Sequence, residues 1–141
     1  MDDRQDLDRF VAAQDEGGTY EQALAELAAG AKRSHWMWFV FPQIAGLGQS
    51  PTARFYAIRS QAEAREYLAH PVLGPRLIRA ASAAETAPAA SADALLGGID
   101  AVKLRSSMTL FGRLAPEEPV FARVLDRWYG GVEDEATLAL L

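Results

Sequence analysis

The sequence predicts an all-α fold, a compact single-domain bundle of about six to eight short helices. Three observations carry this expectation. Apolar residues recur at i, i+3, i+4 spacing along most of the chain, and no segment alternates cleanly with period two. Capping residues and glycine or proline breaks punctuate the chain at intervals of one short helix. The 141 residues, half of them hydrophobic, suit one domain spanning 1–141.

The elements follow in order. Leu7, Phe10 and Val11 mark a first helix, ended by Gly17-Gly18. Thr19 and Gln22 predict a capping box for the second, with Tyr20, Ala23, Leu24 and Leu27 as its apolar stripe and Gly30 as a left-handed stop. Residues 36–41 have the aromatic and β-branched content of a strand, yet a lone strand would leave its backbone groups unpaired. A short buried helix capped by Ser34 is expected there. Ser60 and Glu63 predict a capping box ahead of Ala64, Tyr67 and Leu68. His70-Pro71 is a break, with Pro71 placed to open the next helix and Leu73, Leu77, Ile78 and Ala81 as its buried face. The Ala, Ser and Pro-rich stretch at 82–91 is expected to be a surface loop. Ser91 caps a short helix ending at Gly97-Gly98, and Asp100 is placed to cap another running to about Leu114. Pro116 and Pro119 flank a helix whose apolar positions are Val120, Phe121, Val124, Leu125 and Trp128, stopped at Gly130-Gly131. Asp134 caps a last one, with Leu138 and Leu141 turned inward.

Composition excludes several chemistries. The chain has no cysteine, which removes disulfides, thiolate nucleophiles and thiolate-bound metals. Its net charge of −5, with Lys32-Arg33 as the one local basic pair, argues against general nucleic-acid binding. No apolar run approaches the ~20 residues of a membrane helix, and Met1 to Asp6 lack a leader's charge and apolar pattern, so a cytoplasmic protein is expected. His35 and His70 lack a metal-helix spacing, and Gly46-Leu47-Gly48 lacks the third glycine and βαβ setting of a dinucleotide loop. Neither a metal nor a cofactor is expected.

Two segments carry the remaining chemistry. In residues 32–43, polar Lys32, Arg33, His35 and Gln43 bracket an aromatic wall containing Trp36 and Trp38. An aromatic wall with a few convergent polar groups suits a small-ligand pocket, and a core segment with a polar entry suits it equally. In residues 100–111, about 100° per residue places Leu104, Met108 and Phe111 on one line. Lys103 and Ser107 fall inside that apolar face, while Arg105, Thr109 and Arg113 point away. An ammonium there must be paired, by Asp100 or Asp134, or be neutral, or line a cavity, unless it snorkels to water.

These segments, "KRSHWMWFVFPQ" and "DAVKLRSSMTLF", together with "HPVLGPRL" and "GGVEDEATLALL", resemble the bacterial family called domain of unknown function 1810. "DLDRFVAAQ" and "YEQALAELAAGAKRSHWMW" extend the resemblance over nearly the whole chain. It implies a compact all-α fold and no established activity. The "calpastatin" label on some members names a largely disordered inhibitor, unlike this globular sequence. By position, the family signature falls on Lys32, Ser34, His35, Trp36, Trp38, Pro42, Gln43, His70, Lys103, Ser106, Ser107, Thr109, Asp134 and Thr137.

The resulting expectation is one shared pocket for a small anionic, ring-bearing, nucleotide-like metabolite. Lys32, Lys103, Ser106 and Ser107 hold the anion, Trp36 or Trp38 stacks on the ring, and Gln43 lines the wall. Two alternatives stand beside it: a non-catalytic interaction protein whose signature residues form a buried structural network, and a hydrolase or transferase using His35 as acid or base. Oligomeric state is not legible.

Overall fold

The computed structural model describes residues 3–141, and side chains from residue 6 onward. The fold is all-α. Six helices run nine residues or longer: α1 (Asp3–Asp15), α2 (Thr19–Ala29), α5 (Gln61–Ala69), α6 (Leu73–Thr86), α8 (Gly98–Leu114) and α9 (Pro119–Tyr129). Four are shorter: α3 (Met37–Val40), α4 (Pro51–Phe55), α7 (Ala92–Leu96) and α10 (Glu135–Leu140). No helix among the described residues is long and apolar enough to cross a membrane.

The longest helix, α8, is the axis around which α3, α5, α7, α9 and α10 pack. It buries Leu104, Met108, Leu110 and Phe111, the apolar line its sequence marks out. Aromatic rings carry the core outward from it. Phe111 lies 5.4 Å from Tyr67 and 6.1 Å from Phe121, and Tyr67 meets Phe10 edge-on at 5.1 Å. The Tyr67 hydroxyl is buried, which pushes its pKa up. It is satisfied by Gln14, whose amide donates to Tyr67 Oη (3.2 Å) and to the Phe39 carbonyl (2.8 Å).

Most helix ends lie where local chemistry places them. The side chains of Ser60, Ser91 and Asp134 accept from the backbone N–H three residues on. Pro119 opens α9, and Gly30 and Gly130 close α2 and α9 in the left-handed conformation, at φ 78° and 61°. His70 Nδ1 accepts from the amides of Val72 and Leu73, a helix-end role.

Several expected ends differ. Thr19 does not form a capping box: Gly17 and Gly18 take left-handed φ values of 59° and 70°, and Gly18 becomes the cap. Thr19 is then already helical, and its hydroxyl donates back to the Glu16 carbonyl. Pro71 lies in the turn ahead of α6 rather than at its first position, with Val72 as the cap. α8 starts at Gly98, before Asp100, which frees the Asp100 carboxylate for other partners. The expected loop at 82–91 is shorter, because α6 continues to Thr86. Ala80, Ala81, Ala84 and Ala87 are buried, on a helix that packs against α9, α5 and α2. Arg127 and Trp128 of α9 donate to carbonyls at Glu85, Ala87 and Ala84, holding the end of α6.

A close helix contact depends on Gly74. A Cβ there would collide with the Leu68 carbonyl oxygen of α5. Gly74→Ala is therefore expected to destabilise by about 1–3 kcal/mol through overpacking, read as a lowered urea midpoint at unchanged slope. A midpoint within error of wild type would show that α5 shifts freely.

One fragment of extended backbone interrupts the helices. Ile44 and Ile58 form an isolated parallel bridge, with Ala45 N–H donating to Ile58 O and Ile58 N–H to Gln43 O, both at 2.8 Å. The intervening chain, including α4, leaves and returns at this point.

Candidate functional site

The site is organised from below by Glu26. On α2 this acid lies between Ala23 and Leu27 and is almost fully buried. Its Oε1 accepts from the amides of Arg33 (2.7 Å) and Ser34 (3.0 Å) and from the Trp36 indole (2.9 Å). Its Oε2 accepts from the Ser34 hydroxyl (2.6 Å) and the Gln22 amide (3.0 Å). Burial works against ionisation, but these donors outweigh it and hold the carboxyl pKa at about 2. Ser34 is thus a donor to Glu26 and not the cap of α3. Trp36 takes the cap position without a side-chain bond.

The chain so anchored delivers both lysines of the protein to one carboxylate. Lys32 Nζ is 2.8 Å from Asp100 Oδ2, and Lys103 Nζ is 3.6 Å from Asp100 Oδ1. Each ammonium also faces an indole: Lys32 over Trp36 at 5.4 Å, Lys103 over Trp38 at 4.9 Å. The two signature segments therefore meet in space, and Asp100, not Asp134, is the partner of Lys103. His35 is exposed on the same side, its ring 6.4 Å from that of Trp38.

Beside Lys103 lies an open groove of about 370 Å³. Its walls are Gln43, Leu47 and Gly48 on one side, Ile99, Val102, Lys103 and Ser106 of α8 on another, and Asp134 and Ala136 at the start of α10. Ile99 and Val102 are 78% and 58% exposed, unusual for large apolar side chains on a central helix.

The expected site residues divide between groove and core. Gln43, Lys103 and the buried Ser106 line the groove, whereas Trp38, half-buried under the Lys103 ammonium, is not part of its wall, so the expected ring stack has no aromatic partner there among the described residues. Trp36 is fully buried, which closes its ring to any ligand. Lys32 is nearly buried and committed to Asp100. Ser107 is fully buried and its hydroxyl has no hydrogen-bond partner among the described residues. Ser106 lies 2.7 Å from Thr137 Oγ1, and the Thr137 hydroxyl donates to Asp134 at 2.6 Å. The Ser106 proton is therefore spent on Thr137, so Ser106 is a poor donor to a ligand. Lys103 alone of the four expected anion holders faces the groove with a proton to give.

Sequence reasoning missed Glu26, and missed Leu47, Ile99 and Val102 as groove walls. Glu26 had a usable signal: an acid in the apolar stripe of α2, the mirror image of the reasoning that singles out Lys103. The groove walls had none, since the 43–48 loop reaches α8 only through tertiary structure.

The model of a family described as "Protein of unknown function (DUF1810)" matches residues 4–141. Among solved structures, the chain is similar to the crystal structure of the conserved hypothetical protein Rv1873 from Mycobacterium tuberculosis. The two share 48% sequence identity and superpose with a TM-score of 0.92 over 96% of each chain. No curated protein matches.

Proposed function

The chain belongs to the DUF1810 family of proteins of unknown function, and from its geometry we propose that it binds a small anionic, ring-bearing, nucleotide-like metabolite in the groove beside Lys103. One observation carries the reading: a single under-paired ammonium at the edge of a concavity walled by exposed Ile99 and Val102. Solvent-exposed apolar side chains flanking a charged group suit an amphipathic molecule. Lys103 supplies the charge, Gln43 a neutral hydrogen-bonding group, and Leu47, Ile99, Val102 and Ala136 the apolar walls. The reading takes the protein to be cytoplasmic, where such metabolites are met.

The structural-network alternative has its own support. Glu26 gathers Ser34 and Trp36, and Ser106 is tied to Thr137. That alternative accounts for those residues and for Lys32, but gives no role to the exposed wall of α8. The His35 enzyme reading lacks support, since no hydrogen bond among the described residues orients that exposed ring.

The test is thermal shift of the wild type and Lys103→Ala against nucleotides, sugar phosphates and aromatic acids. A ligand at 100 times its dissociation constant adds about 2.7 kcal/mol to stability, a rise of several degrees. The expected result is at least one compound that stabilises the wild type and leaves Lys103→Ala unmoved. A panel without any hit, with Lys103→Ala alone melting well below wild type, assigns the signature to the fold.

A further inference from the structure

Resting on the anion-binding part of that reading and replacing its nucleotide-like part, we infer that the groove takes a monoanionic carboxylate with an apolar body, its carboxylate substituting for Asp100 beside Lys103.

The anion class follows from the charges around Lys103. Asp100 carries one negative charge and faces two ammonium groups. The nearly buried Lys32 holds it at hydrogen-bond distance, 2.8 Å, leaving Lys103 at 3.6 Å, beyond a good hydrogen bond. Lys103 is the more exposed of the two lysines, and it is the one on the groove wall. An incoming carboxylate makes the short contact that Asp100 does not.

A dianion or polyphosphate is disfavoured by the same inventory. Lys32, Lys103 and Asp100 together carry a net charge of +1, which one carboxylate neutralises and a dianion exceeds. Asp134 itself stands in the groove wall. No arginine among the described residues lines the groove, and the Ser106 hydroxyl is committed to Thr137, so the described walls lack the forked or multiple donors that a phosphate needs. The walls are mainly aliphatic, which selects an apolar body over a ribose with its hydroxyls.

The experiment is a calorimetric or NMR titration with three matched probes: 3-phenylpropionate, its neutral amide, and AMP. The wild type is expected to bind 3-phenylpropionate saturably and at least about tenfold more tightly than either other probe. Lys103→Met is expected to lose at least about tenfold for the carboxylate. Val102→Glu, at an exposed position where folding is little affected, is expected to lose as much by placing a like charge on the wall. If AMP binds more tightly and depends on Lys103, the carboxylate inference is overturned while the anion-binding reading survives. If the amide binds as well as the acid, or Lys103→Met binds the acid as wild type does, the role given to Lys103 is overturned. If neither the carboxylate nor AMP binds at ~10 mM, both the inference and the reading beneath it fall.

Discussion

Glu26→Ala is expected to cost at least about 3 kcal/mol of stability, because it strips the acceptor from five donors at once. Hydrogen bonds to a charged group contribute roughly 1.5–3 kcal/mol each, and donors left buried and unpaired carry a further penalty. The Arg33 and Ser34 amides and the Trp36 indole have no alternative partner among the described residues. A pH dependence accompanies the loss. The folded-state pKa of about 2 lies below the ordinary value of 4.5. Stability from this group is therefore fully present above pH 4.5 and is lost as pH falls from there toward 2. A shift of this size corresponds to about 3 kcal/mol. Urea unfolding of wild type and Glu26→Gln at pH 7, 4 and 2.5 checks both points. The wild-type advantage should be largest at pH 7 and should shrink toward pH 2.5. An advantage that stays constant across these pH values would mean that the carboxylate charge does no stabilising work.

Glu63→Leu is expected to cost about 3–5 kcal/mol, the usual result of removing one member of a buried ion pair. Arg9 and Glu63 are both nearly buried and 3.0 Å apart. Removing the acid leaves the guanidinium desolvated. Glu63 Oε1 also accepts from the Arg59 amide, so the loss reaches the entry to α5. A paired apolar replacement, Arg9→Met with Glu63→Leu, often restores stability at buried pairs. Here it should recover only part, because Arg9 also donates to the carbonyls of Asp6, Phe55 and Ala57. A double-mutant cycle measured by urea unfolding decides. Additive single effects, or a Glu63→Leu cost below about 1 kcal/mol, would show that water reaches the pair and screens it.

The parts legible in the sequence are those set by neighbours in the chain. Ser60, Ser91, Asp134 and Pro119 start helices because capping needs only residues two or three positions away. The position of Lys103 on an apolar face follows from helical angle alone. Thr19 fails as a cap because glycines before it re-aim the chain, a competition between two local signals. Ala81 falls on the buried face of α6 by its spacing, but Ala84 and Ala87 sit in a stretch too rich in alanine to show a stripe, and their burial depends on the helices packed around α6. The site was half legible for the same reason. Periodicity finds a lysine that needs a partner, but the meeting of Lys32 and Lys103 at Asp100 is tertiary. Trp36 and Trp38 look alike in sequence, yet the Glu26 anchor draws one into the core and leaves the other half-buried under Lys103.

The Ile44–Ile58 bridge bears on how a protein of this shape can change over generations. The bridge closes a compact excursion whose two ends are fixed by backbone hydrogen bonds and whose return limb is tied by Arg9 to Phe55 and Ala57. Between those ties Gln49 and Ser50 are exposed, while Gly48 lies close against Ala53 and Leu47 packs on the core, and Leu47 and Gly48 form one groove wall. Doubling the length of such a closed loop costs only about 0.6 kcal/mol. Insertions at the exposed Gln49 and Ser50 are expected to leave the helices undisturbed while reshaping the groove. The bridge thus separates the scaffold from the groove, so that the shape of the groove can change without the helices relearning how to fold.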